Sequence, residues 1–362
     1  MRHHLVSSGA IVVLAFGALA SCGGGGSGGG GASLATLSGT YGFVRYAIRD
    51  DVPDEGQAEW GFAISDGAGL ITGGFGTTNT AGSLSGPSPV GGDSYSVASD
   101  GTIALGPFGG GLASDGSAAV LAPIDTNQDP GVLCLLKREG SFTDASVQGT
   151  YHILLYGFAG STLDITYLNR KVSLDGVGTG TISAGQYNAD GSVNAASADL
   201  LSYAVGPTGV MTAALLGVNY SGQVLQGGNL VFLARNTSAT DGQGLLILIR
   251  EGSGLSTGTF SGDYHAVGFQ TSVSGAFGWG CISTKATANG SGLLSFAAGT
   301  RNTDGVVGGT APYDTDCSVA SDGSMTMQAG LFVGGVASNG RFAALCGGTA
   351  ANSDPTIWIF VR

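Results

Sequence analysis

Of the four histidines and five cysteines of this 362-residue chain, two histidines and four cysteines lie beyond the N-terminal segment that ends at Cys22, and with one cluster of acids they are the side chains there whose types invite catalysis or metal binding. His152 and His265 each follow a repeated tyrosine, Tyr151 and Tyr264, while the matching place after Tyr41 is Gly42. A nucleophilic triad needs a histidine oriented by an acid and set beside a nucleophile. A zinc site needs several ligands together. Neither histidine has such company, so both read as strand residues at a barrel end. Asp50, Asp51, Asp54, Glu55 and Glu59 share one loop and are placed to pair as acid and base, but nothing comparable recurs later, and solvated loop acids are the plainer reading. The turns at Asp190-Gly191, Asp304-Gly305 and Asp314-Thr315-Asp316 lack the alternate oxygens and final carboxylate of a calcium loop. Asp and Asn at such places suit tight hairpins. Gly109-Gly110-Gly111 is followed by no Lys-Ser/Thr and opens no helix, so it is not a phosphate loop. The residue types therefore predict no enzyme, no catalytic residue, no metal ligand and no cofactor.

A different chemistry sits at the start. Met1-Arg2-His3-His4 is a short basic segment, an apolar stretch runs from Leu5 to about Ala18, and Leu19-Ala20-Ser21-Cys22 follows. A basic start, a short apolar core and small residues at a cut site define an export signal, and this core is too short for the ~20 residues of a comfortable span. Leu19-Ala20-Ser21-Cys22 resembles the lipobox of bacterial lipoproteins, which implies cleavage before Cys22 and diacylglycerol on its thiol. Gly23 to Gly31, all glycine except Ser27, cannot build a core and reads as a flexible tether. Under the sorting rule of enteric lipoproteins, Gly23 after the cysteine implies the outer membrane. The division expected is a signal over 1–21, lipidated cysteine and tether over 22–33, and β units over 34–140, 141–252 and 253–362.

In an oxidising compartment, further cysteines invite disulfides. Cys281, Cys317 and Cys346 all fall in the third unit, and one bridge among them is expected with the pairing open. Cys134, inside the apolar run Val132-Leu133-Cys134-Leu135-Leu136, reads as a small buried hydrophobe. Of the 13 basic residues only Arg2 precedes the cut, leaving 12 against 25 acidic ones and a net charge of −13. Such a balance excludes a phosphate backbone as partner.

The elements that must position these residues are legible in a repeat. Leu37-Ser38-Gly39-Thr40-Tyr41 returns as Val147-Gln148-Gly149-Thr150-Tyr151 and Phe260-Ser261-Gly262-Asp263-Tyr264. Asp66-Gly67, Asp175-Gly176 and Asn289-Gly290 follow in step, then Asn79, Asn188 and Asn302, then Tyr95, Tyr203 and Cys317. Each unit closes on an apolar run ending in arginine: Arg138, Arg250 and Arg362, spaced 112 residues apart. Within units, runs of Val, Ile, Leu, Tyr and Phe alternate with Asp-Gly, Asn-Gly and Gly-Gly pairs that supply positive φ for hairpins. Eight strands are predicted in the first unit, including Thr102–Phe108, Ser117–Pro123 and Val132–Arg138. The fold class predicted is all-β: three tandem, calycin-like, up-and-down barrels of about eight antiparallel strands. A sandwich or a six-bladed propeller is the alternative.

If each barrel closes, first and last strands pair, placing Arg138 beside Tyr41, Arg250 beside Tyr151 and Arg362 beside Tyr264. Lipocalin-type barrels are similar in stacking an arginine over an aromatic of the first strand. The closing strands, such as Ile357-Trp358-Ile359-Phe360-Val361, are apolar on both faces, so packing between units is expected. The mature chain resembles uncharacterised glycine-rich tandem β-repeat surface lipoproteins of bacteria. That resemblance brings no known activity; the function expected is membrane attachment through lipid with a structural, adhesive or interaction role, an envelope protein or polysaccharide being the partner. The alternative is a carrier holding a small apolar ligand inside a barrel.

Overall fold

The structure, a computed structural model, describes residues 33, 36–48, 56–80, 82–126, 128–159, 164–189, 192–215, 217–236, 243–270, 280–303, 305–347 and 356–362. Cys22, the glycine tether and Asp50, Asp51, Asp54 and Glu55 lie outside the described residues. So do Asp190-Gly191 and Asp304.

The protein is all-β, with single turns of 3₁₀ helix at Asp144–Val147, Gln226–Gly228 and Thr257–Thr259. The first unit holds nine antiparallel strands: β1 (Ser38–Ile48), β2 (Gly56–Asp66), β3 (Ile71–Thr80), β4 (Ser83–Pro89), β5 (Tyr95–Val97), β6 (Thr102–Leu105), β7 (Phe108–Leu112), β8 (Ala118–Pro123) and β9 (Gly131–Lys137). They lie in the order β4-β3-β2-β1-β9-β8-β7-β6-β5. The two sides of this sheet approach at the Leu70–Ser94 bridge, with Ile71 N–H donating to Asp93 O at 2.9 Å and Tyr95 N–H to Gly69 O at 2.8 Å. The first unit is thus a half-barrel. In the second unit Gly149–Ala159 pairs with both Asp164–Leu174 and Gln243–Arg250, which closes an eight-stranded ring. The third closes likewise through Ser261–Gln270, paired with Gly280–Asn289 and Thr356–Val361. Because the first and last strands of every unit pair, the propeller alternative is excluded.

The predicted strand Thr102–Phe108 is instead a hairpin. Gly106 takes φ +52° ahead of Pro107, and the glycine-rich segment behind it forms β7. That strand tolerates nothing larger at one point: a Cβ on Gly110 would meet Val120 O at 2.0 Å.

Three apolar clusters fill the interiors of the units, and a fourth lies between them. The fourth takes the alternate residues of the closing strands: Val132, Cys134 and Leu136; Leu245, Ile247 and Ile249; Ile357, Ile359 and Val361. Leu133 and Leu135, Leu246 and Leu248, and Trp358 and Phe360 face the respective interiors. Both faces of each closing strand are therefore dry, which is why they read as unbroken apolar runs. Tyr46, Tyr156 and Phe269 stand at the centre of the shared cluster, each edge-on to the other two with ring centroids 5.7, 5.6 and 5.4 Å apart. The first strand of each unit lies against one homologous strand of the next: β1 on Val218–Val224, Gly149–Ala159 on Phe332–Val336, and Ser261–Gln270 on β7. The units are arranged cyclically.

Truncating a fully buried Phe costs about 3–5 kcal/mol where the site cannot collapse. Phe269→Ala should lower the unfolding free energy of the whole body by about that amount, measured by denaturant unfolding. A loss under about 1 kcal/mol would mean that the three rings are not a common core.

Candidate functional site

The repeated landmarks have defined duties. The hydroxyls of Tyr41, Tyr151 and Tyr264 donate to the carbonyls of Gly116, Gly228 and Gly340 at 2.9, 2.7 and 2.5 Å. Each of these glycines has φ between +65° and +71°, and a Cβ there would strike a backbone carbonyl at 1.9–2.2 Å. Asp66, Asp175 and Asn289 each accept two backbone N–H groups through Oδ1, closing identical turns. Two of the buried asparagines work between units. Asn79 Nδ2 donates to Arg235 O at 3.3 Å, and Asn302 Nδ2 to Gln128 O at 3.1 Å.

Arg250 and Arg362 lie over the rings of Tyr151 and Tyr264, with centroid distances of 5.3 and 5.6 Å. Arg138 does not lie beside Tyr41. Lys137 is the residue in register with Tyr41, as Arg250 is with Tyr151. Strand alternation carries Arg138 to the opposite face, where its guanidinium covers Phe62 at 5.0 Å and its Nε donates to Gln223 Oε1 at 2.7 Å. The matching residue of the second unit is therefore Glu251.

The cysteines are also corrected. Cys134, Cys281, Cys317 and Cys346 are all free and buried. Cys134, Cys281 and Cys346 belong to the core between units, whereas Cys317 faces the interior of the third barrel. Opposite faces of the barrel wall thus separate Cys317 from the other two. Burial pushes all four thiols up, Cys281 to about 11, so they stay protonated.

The two histidines sit at two of the three seams. His152 Nε2 lies 3.2 Å from the carbonyl of Asp322, and His265 Nε2 lies 3.0 Å from that of Asp100. A carbonyl only accepts, so Nε2 carries the proton in each. Lys171 donates to the Asp322 carboxylate at 2.7 Å, and Lys285 to that of Asp100. Each ring passes over a glycine of the next unit: a Cβ on Gly335 would meet His152 at 2.5 Å, and one on Gly111 would meet His265 at 2.0 Å. At the third seam the bulk is reversed. There Gly42 replaces the histidine, and Gln223 of the second unit fills its place, donating to Thr208 O at 3.1 Å. These groups clasp backbone across the seams. Burial lowers both imidazoles below their ordinary range, while the lysine hydrogen bonds hold Asp100 and Asp322 low.

A group depressed in the folded state binds more protons when unfolded, so its contribution is lost as pH falls. For the histidines the loss starts at the unfolded value near 6.5; for the aspartates it starts near 3.8. Unfolding free energy should therefore decline as pH falls below about 6.5. The double variant His152→Gln and His265→Gln should flatten that first decline and keep the decline below pH 4. A wild-type curve already flat from pH 7 to 5 would contradict this.

The one predicted acid among the described residues, Glu59, is not in a solvated loop. It points from β2 into the first unit, where a cavity of about 190 Å³ opens. Leu37, Phe43, Ile71, Val90, Leu133 and Leu135 supply apolar wall, and Arg45, Glu59, Ser65 and Asp93 supply polar groups. Arg45 Nη1 lies 3.0 Å from Gln57 Oε1 and 3.9 Å from Glu59 Oε2, and the guanidinium covers Phe108 at 5.6 Å. Desolvation raises the carboxyls of Glu59 and Asp93 above their usual range.

Missing bulk creates this space. Ala63 stands opposite Tyr41 where Val172 stands opposite Tyr151, and Ser65 takes the place of Leu174. In the third barrel Phe296 pairs with Ala286, whereas Gly74 pairs with Ala63; Trp358 covers Gly268, whereas Leu133 pairs with Arg45. Arg45 and Asp93 escaped the sequence reading. The signal for Arg45 was parity, since it shares the inward face of β1 with Tyr41 and Phe43.

No family model matches the chain, and no curated protein matches it in sequence. Among solved structures it is similar to isotype 1 transferrin binding protein B from serogroup B Neisseria meningitidis, at 8% identity and TM-score 0.25, covering 90% of this chain and 75% of that one. It is also similar to a DUF3598-family protein of unknown function from Nostoc punctiforme, at 11% identity and TM-score 0.20, covering 60% of this chain and 99% of that one.

Proposed function

We propose that this chain is a lipid-anchored envelope protein, held at the outer membrane through Cys22, whose fused barrel units act as a rigid interaction body. The single observation that carries the interaction role is the packed interior of the second and third barrels. The second and third barrels are filled by large side chains such as Tyr151, Met211, Phe296 and Phe360, and the three units share one core. Among the described residues these two interiors show no chamber for cargo, which favours the outer surface as what this body offers. The anchor rests on Leu19-Ala20-Ser21-Cys22 and the glycines behind it. The expected partner is an envelope protein or polysaccharide, and no catalytic role is assigned.

A second reading has its own observation. The first unit keeps a cavity of about 190 Å³ where the other two are packed, which supports a small-ligand carrier function confined to that unit.

Cys22→Ser should move the protein from the membrane to the soluble fraction of disrupted cells and abolish incorporation of an alkyne-tagged fatty acid. If the variant stays with the membrane, the anchor reading is wrong.

A further inference from the structure

We propose that the cavity of the first unit binds a small organic cation, a primary amine carried on an aromatic or short alkyl body. The inference rests on the carrier reading of that unit and adds the chemistry of the ligand.

Size limits the body. An apolar cavity of ~150 Å³ accommodates benzene, so about 190 Å³ admits a ring with a short side arm. Leu37, Phe43, Ile71, Leu133 and Leu135 offer that body dry wall.

Charge selects the head. Arg45 Nη1 is already engaged, since Gln57 Oε1 accepts from it at 3.0 Å and Phe108 lies against its guanidinium face, while its Nε is buried without a partner and closed off from the open space. The carboxylates are not so engaged. Glu59 stands 3.9 Å from Arg45 Nη1, beyond hydrogen-bond reach, and among the described residues no donor reaches the side chain of Glu59 or Asp93. Glu59 inside and Asp93 at the exposed rim face one guanidinium whose free N–H is buried, which leaves the open space short of positive charge and of N–H donors that reach into it. An ammonium brings three such donors, whereas a carboxylate ligand would add a third negative charge. Burial raises both carboxyls, and a bound ammonium would relieve that penalty.

The charges are particular to the unit with the space. Leu155 stands in the second unit where Arg45 stands in the first, and the third has Gly268 opposite Ile282 in place of Arg45 opposite Glu59. A guanidinium and a carboxylate held inside a half-barrel cost desolvation that their attraction does not always recover, so a scaffold role alone gives no reason for them.

The test is calorimetric titration of the full chain, purified in detergent at pH 7, with phenethylamine, with 3-phenylpropionate and with ethylbenzene. Phenethylamine should bind with a Kd on the order of 10⁻⁴ M, at least tenfold tighter than either other probe. Glu59→Gln should weaken it tenfold or more, and Ala63→Leu, which fills the cavity, should abolish it without lowering the unfolding midpoint. If either variant folds poorly, Asp93→Asn at the exposed rim decides, and unchanged amine affinity there overturns the proposal. If 3-phenylpropionate or ethylbenzene binds as tightly and Ala63→Leu blocks it, the cation inference falls while the cavity reading stands. If no probe binds, or Ala63→Leu leaves binding intact, the cavity reading falls with it.

Discussion

Burial on both faces of the closing strands is the constraint from which the rest of this structure follows. A strand wetted on one side tolerates polar residues at every second position. Here Leu245-Leu246-Ile247-Leu248-Ile249 has no such freedom, because Leu246 and Leu248 fill a barrel while Leu245, Ile247 and Ile249 fill the space between barrels. Slipping the register by one residue would exchange two sets that are both apolar, so hydrophobic pattern alone does not hold the register. Shape and hydrogen bonds have to do it. The tyrosine hydroxyls bound to Gly116, Gly228 and Gly340 and the asparagines reaching across units meet that need, since each works in only one alignment.

The architecture was legible because the repeat exposes local chemistry. Asp66, Asp175 and Asn289 mark turns through bonds spanning two to four residues, and such short-range geometry follows from residue type. The paired first and last strands were legible for another reason: a meander of even strand number brings them together antiparallel once it closes. The glycine-rich strand β7 was not legible. Its residues have no strand propensity of their own, and it exists because a neighbouring carbonyl leaves room for nothing larger than Gly110.

What the sequence hid lies mostly at long range. The shift from Arg138 to Lys137 as the partner of Tyr41 is a one-residue register difference, invisible when two basic residues stand side by side. The cysteines suggested a bridge because they share a unit, but sharing a unit does not say which face of the wall each occupies. The cavity was hidden more deeply. It is defined by what Ala63, Ser65 and Gly74 lack relative to Val172, Leu174 and Phe296, and an absence of bulk shows only when aligned positions are known to face one interior. Glu59 was noticed for its neighbours in sequence, Asp54 and Glu55, while the residue that gives it meaning is Arg45 on the adjoining strand.

The glycine contacts at the three seams have a consequence for assembly. Three similar barrels on one chain risk docking in the wrong order, or onto the barrels of another chain while still partly folded. Here the seams are mortise and tenon, two cut alike and the third in reverse. His152 enters the slot at Gly335 and His265 the slot at Gly111, whereas Gln223 projects the other way into the slot at Gly42. Set a histidine-bearing strand against Gln223 and two tenons collide; set Gly42 against Gly111 and two mortises leave a void. The odd seam therefore marks the order of the barrels, a sorting code that would let a triplicated chain close into one ring and reject the reverse order.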